Sequence, residues 1–144
     1  MKRSQRIQKL VELSQKKEDT VAKLLARQQA KVESEKQKLE QLKEYASQYE
    51  SERNLLGLSP YLVTNYQHFV TRLEQAMQQQ KGAISQSEHQ AAQAQQQWLN
   101  ARAKTKSMDL VKGKHLEQER MAEDKREQKQ IDEFAMLKFM KSSL

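Results

Sequence analysis

Histidines, carboxylates and glycines are the residues through which this chain could do chemistry, and their spacing argues against most of it. His68, His89 and His115 lie far apart. None has a second histidine three or four residues away to present two imidazoles to a metal on one helix face, so surface or interfacial roles are expected. The 19 acidic residues are plentiful. Acid–base catalysis, however, needs a low-dielectric pocket that drives two carboxyl pKa values apart, and solvated helices offer none. Glycines at 57, 82 and 113 alone cannot assemble a phosphate-cradling loop. With no cysteine, neither disulfide nor thiolate chemistry is open to the chain, which suits a reducing compartment. The expectation is a protein without catalytic residues, cofactor, metal or small-molecule substrate, whose function lies in surfaces that bind.

The elements that must carry those surfaces are long helices. The chain has 144 residues, 31% charged and 6% aromatic, a single proline and a mean hydropathy of −1.02. Such a composition fits exposed helices better than a thick-cored domain. The N-terminal MKRSQRIQKLVELSQ is basic but lacks the apolar run of a secretory signal, and nowhere do 18 apolar residues run together as a membrane span requires. A soluble, cytoplasmic protein is expected.

From Ile7, steps of four and three give Ile7, Val11, Ser14, Glu18, Val21, Leu25, Gln28, Val32, Glu35, Leu39, Leu42, Ala46, Tyr49, Arg53 and Leu56. Ten of these fifteen positions are apolar, a coiled-coil seam. The pattern breaks at Gly57-Leu58-Ser59-Pro60. Here glycine supplies a left-handed helix end, serine a cap and proline a favoured first helical residue. A second seam runs Val63, Tyr66, Val70, Leu73, Met77, Gln80, Ile84, Ser87, Ala91, Ala94, Trp98, Ala101, Thr105 and Met108.

So short a connection folds the helices back on each other. The expected fold is all-α, one antiparallel coiled-coil hairpin over residues 1–144. Helix 1 covers about 4–55, the turn about 56–60 and helix 2 about 60–138. With the turn at residue 57 or 58, facing residue numbers add to about 115. Tyr49 then meets Tyr66, Leu42 meets Leu73, and Trp98 covers the weak seam around Ser14. In that register residues 115–144 overhang; Ile131, Phe134, Leu137, Phe139 and Met140 there would dock on something else or leave the tail frayed.

Two surface features stand out. Lys38, Leu42, Tyr45 and Tyr49 follow one side of helix 1, and Phe69, Leu73, Ala76 and Gln80 repeat the spacing on helix 2. Antiparallel pairing sets these stripes side by side, either as an interface or as a widening of a narrow core. Residues 1–17 carry about +5 and residues 98–114 about +4, suited to an acidic protein surface, nucleic acid or an anionic membrane.

Tyr45-x-x-x-Tyr49, the break after it, Asn65-Tyr66-Gln67-x-Phe69, Leu73-Glu74-x-Ala76, Trp98 and Asp132-Glu133-Phe134 resemble the FliJ family of flagellar type III export proteins. The resemblance implies a non-catalytic cytoplasmic protein, folded like the stalk of a rotary ATPase. It implies three partners: the hexameric export ATPase, the cytoplasmic domain of the export-gate membrane protein, and export chaperones. By this resemblance the gate contact comprises Leu42, Tyr45, Tyr49, Phe69, Leu73 and Ala76. Lys38 and Gln80 stand where the family pattern has glutamine and histidine. The ATPase-facing end falls around residues 1–25 and 98–140, with Arg6, Lys9, Lys16, Arg102, Lys104 and Phe134 as its candidates. Attachment to the membrane is then peripheral, through the gate.

Two other readings compete. A self-associating structural spacer would use the same seam, although the break at 57–60 is awkward in a continuous parallel dimer. A nucleic-acid binder would use the basic segments, which lack the interleaved aromatic rings that stack on bases.

Overall fold

The computed structural model describes residues 2–57 and 60–143, the side chains of Leu55, Leu56 and Tyr61 excepted. Two helices follow in order, α1 over Arg3–Leu56 and α2 over Pro60–Ser142. Long runs of Lys, Glu, Gln, Ala and Leu favour them, because these side chains lose little rotamer freedom in a helix. α1 ends where Gly57 takes φ +62°, a left-handed conformation that costs other residues a Cβ clash. α2 opens on Pro60, whose missing N–H is no loss in a first turn. The expected Ser59 cap lies outside the described residues.

The helices pack antiparallel as a hairpin, since partners on α2 rise in number as those on α1 fall. The chain divides into two compact units. One is Asp19–Leu99; the other joins Met1–Glu18 to Asn100–Leu144.

In the Asp19–Leu99 unit, Tyr49 faces Tyr66 and Glu35 faces Gln80, the register expected from the sequence. Leu73 and Ala94 are buried with Ser87, whose hydroxyl donates to its own helix at the Ile84 carbonyl, 2.9 Å away. Most larger seam residues are only half-buried. Two helices alone enclose few long side chains, so apart from Leu73 the deepest positions go to short ones that fit between the backbones. Each half-covered Leu or Val contributes on the order of 1 kcal/mol through the apolar area it removes from water.

In the terminal unit, Val11, Ser4, Ser14 and Thr105 are buried. Thr105 donates its hydroxyl hydrogen to the Ala101 carbonyl at 3.0 Å, so Ser14 must be the donor in the 2.7 Å bond to Thr105 Oγ1. The gap expected at Ser14 is therefore closed by a hydroxyl pair. Ser14 meets a residue one helical turn further along α2 than the sequence register gives. Ser4 reaches further still, to Glu119. Its N–H and Oγ both donate to that carboxylate, at 3.2 and 2.6 Å.

The first turn of α1 contains no acidic residue, so Glu119 supplies from α2 the negative charge that a helix N-terminus favours. Gln5 completes the start by accepting from the Lys2 N–H at 3.2 Å. His115 and Glu119 are accordingly half-buried. The segment without a partner begins beyond them, not at 115 as the sequence register placed it. From Met121 to Ser143 every residue is exposed, with α2 continuing to Ser142.

Candidate interaction surface

Aromatic side chains in the Asp19–Leu99 unit form a connected set. Tyr45 meets Phe69 edge-on, with ring centroids 5.6 Å apart and planes at 65°. Phe69 also lies 4.0 Å from Tyr49, which stacks on Tyr66 at 5.3 Å and 4°. The Arg53 guanidinium sits over the Tyr66 ring at 4.7 Å. The two stripes read from the sequence thus meet across the seam. Leu73 is 9% exposed, Leu42, Ala76, Tyr49 and Phe69 are half-buried, and Tyr45 is 52% exposed. A half-open ring held by a second ring presents apolar area at little conformational cost, the usual property of an interface anchor. Tyr66 and Arg53 also belong to this set, although neither falls on the two stripes read from the sequence.

Below the rings, Lys38 and Gln80 converge on Glu35. Gln80 Nε2 donates to Glu35 Oε2 at 2.6 Å and to the Glu35 backbone carbonyl at 2.7 Å. Lys38 Nζ donates to Glu35 Oε1 at 3.3 Å. These bonds, Gln80 first and Lys38 second, hold the Glu35 carboxyl below its ordinary pKa, against the opposing effect of burial. Glu119 is likewise lowered, chiefly by the Ser4 hydroxyl.

The candidates for the second surface, Arg6, Lys9, Lys16, Arg102, Lys104 and Phe134, all belong to the terminal unit and are exposed. Residues 19–99 hold nine Lys and Arg against nine Asp and Glu, so the chain's whole net charge of +7 resides in the terminal unit. Lys9 also borders a shallow groove with Ser4, Gln8, Glu12, Lys112 and Leu116. Phe134, 64% exposed, lies on the unpartnered part of α2 with Ile131, Leu137, Phe139 and Met140, and Lys138 stands 5.7 Å from its ring centre. His89 faces solvent, its ring nitrogen 3.2 Å from the Gln93 side-chain amide. Among the described residues no helix is long and apolar enough to cross a membrane.

Compared with known proteins, residues 2–144 match the family model described as Flagellar FliJ protein. The chain is similar to the Flagellar FliJ protein of Salmonella typhi, 25% identical over 132 residues that cover 90% of each chain. It is also similar to the Flagellar FliJ protein of Escherichia coli (strain K12), 24% identical over 129 residues that cover 88% of each. No solved structure matches it.

Proposed function

The chain belongs to the flagellar FliJ family and so to the flagellar export components, and on that premise we propose that it is a non-catalytic adaptor between the export ATPase and the export gate. The terminal unit binds the hexameric ATPase as a central stalk. The ring cluster of the Asp19–Leu99 unit, with Leu42, Leu73 and Ala76, binds the cytoplasmic domain of the gate membrane protein. Export chaperones are its further partners. The protein works in the cytoplasm, peripheral to the membrane through the gate.

The observation that carries this reading is the half-exposed Tyr45 braced on Phe69. A ring needed only to thicken the core gains less the more of it stands in solvent, whereas a binding anchor must stand there. The charge distribution supports the ATPase half, because +7 on one unit attracts an acidic ring opening over distances of about a Debye length.

Mixing the chain with the hexameric export ATPase tests the first contact: ring assembly and ATP hydrolysis should both rise. If neither responds, the ATPase contact is wrong. Titrating the gate's cytoplasmic domain with wild-type and Tyr45→Ala protein tests the second.

A second reading rests on Ile131, Phe134, Leu137 and Phe139, all exposed. Such residues could join two copies into a self-associated spacer. A light-scattering mass of twice the 16.9 kDa chain would favour it.

A further inference from the structure

We propose that Glu35 and Gln80 form a register lock, a polar pair in the seam whose role is to fix the axial offset of α1 against α2 beneath the aromatic set. A 4-3 apolar seam specifies which faces of two helices meet, but it repeats every seven residues. Sliding one helix by a heptad again sets apolar positions against apolar positions. The Asp19–Leu99 unit is exposed to this ambiguity because many of its seam residues are small or only half-buried.

Glu35 and Gln80 both occupy seam positions and answer each other in one offset alone. The Gln80 amide donates to the Glu35 carboxylate at 2.6 Å and to the Glu35 backbone carbonyl at 2.7 Å. The second bond matters because that carbonyl is fixed to the α1 backbone, so a side-chain rotation cannot preserve it after a slide. Lys38, one turn on, holds the other carboxylate oxygen at 3.3 Å. Slid by a heptad, Gln80 would withdraw both cross-helix bonds and leave Glu35 only Lys38 on its own helix, while the apolar seam lost little. Half-buried polar groups stripped of their cross-helix bonds are a cost borne only by the wrong register, the best-attested use of a polar residue in a coiled-coil seam.

The same pair accounts for the residues at 38 and 80. Their polar atoms are directed at Glu35, and Gln80, which reaches it from α2, sets where the rings of the neighbouring surface stand. In the observed offset, Tyr49 stacks on Tyr66 and Tyr45 meets Phe69. A heptad slide would move these partners about 10 Å apart along the axis.

The lock concerns the free chain and stands whether or not the gate reading is right. The absence of cysteine allows nitroxide labels at two introduced cysteines, Gln41→Cys and Gln79→Cys, both exposed positions. Pulsed electron-spin resonance then reads the distance between the helices in the 144-residue chain. The otherwise wild-type chain should give one narrow distance. Gln80→Met, which keeps the volume and removes the amide, and the apolar double variant Glu35→Leu/Gln80→Leu should each add a population displaced by about one heptad rise, with helical circular dichroism unchanged. A single unshifted distance in both variants would overturn the lock, even if their melting temperatures changed, since the pair would then serve stability alone.

Discussion

Tyr45 and Phe69, 24 residues apart in the chain, meet edge-on at 5.6 Å, yet only Phe69 is tied further inward, to Tyr49 at 4.0 Å. The two rings therefore separate binding from folding. Tyr45→Ala should change stability by less than about 1 kcal/mol, because half of the ring is already in water. Phe69→Ala should cost about 2 kcal/mol, since it removes the inner contacts as well. Urea denaturation of each variant, beside titration with the gate's cytoplasmic domain, distinguishes them. If Tyr45→Ala binds as well as wild type, Tyr45 is not an anchor.

Ser14 and Thr105 make a different prediction. Ser14→Ala leaves Thr105 bonded to the Ala101 carbonyl, so the loss should be about 1 kcal/mol. Thr105→Val leaves the buried Ser14 hydroxyl without its acceptor and should cost more. The double variant should be no worse than Thr105→Val, because it leaves no hydroxyl stranded. Additive losses in a thermal double-mutant cycle would show that the pair is not coupled.

These residues also mark the limit of what the sequence discloses. The 4-3 spacing on both sides of Gly57-Leu58-Ser59-Pro60 was enough to read two helices, their inward faces and their antiparallel return. It was also enough to bring Tyr49 opposite Tyr66. Periodicity gives the face of a helix and leaves its axial offset open. A single register carried from the turn therefore set Ser14 too close along α2 and missed both Thr105 and the reach of Ser4 to Glu119. Glu35, Gln80 and Ser14 read as flaws in an apolar seam because polar partners are recognised only once two helices share coordinates.

Gln28 is a flaw of the other kind. Its side-chain oxygen is buried and has no hydrogen-bond partner within the protein. Gln28→Leu should therefore stabilise the chain by about 1 kcal/mol, exchanging an unsatisfied acceptor for apolar area. The Gln8 oxygen is also buried and unpaired, but the Gln8 amide donates to Glu12 at 3.0 Å, so Gln8→Leu should gain less. Thermal melts of the two variants rank them, and a fall in melting temperature for Gln28→Leu would contradict the assignment.

Acid should act through two carboxylates. Glu35 and Glu119 both have folded-state pKa values below the ordinary 4.5, held down by Gln80 and Ser4 respectively. A depressed folded pKa means that the unfolded chain takes up the proton more readily. The stabilising contribution is thus complete above the ordinary value and is lost as pH falls through the folded value. Melting temperature should fall across that window in wild type and less steeply in Glu35→Gln and Glu119→Gln. Equal slopes would mean that neither carboxylate contributes.

Charge gives the last prediction. The paired part of the terminal unit carries Lys9 and Lys104, both exposed, within a unit that holds the whole +7. If that field guides the unit into an acidic ring, Lys9→Glu/Lys104→Glu should slow association with the export ATPase several-fold at low ionic strength. The dissociation rate should change less, because exposed charges act mainly on encounter. Raising the salt to about 0.5 M shortens the screening length to a few ångströms, and the two proteins should then associate at similar rates. Stopped-flow association across a salt series measures both quantities. A deficit that persisted undiminished at high salt would assign these lysines to short-range contacts and remove the steering argument.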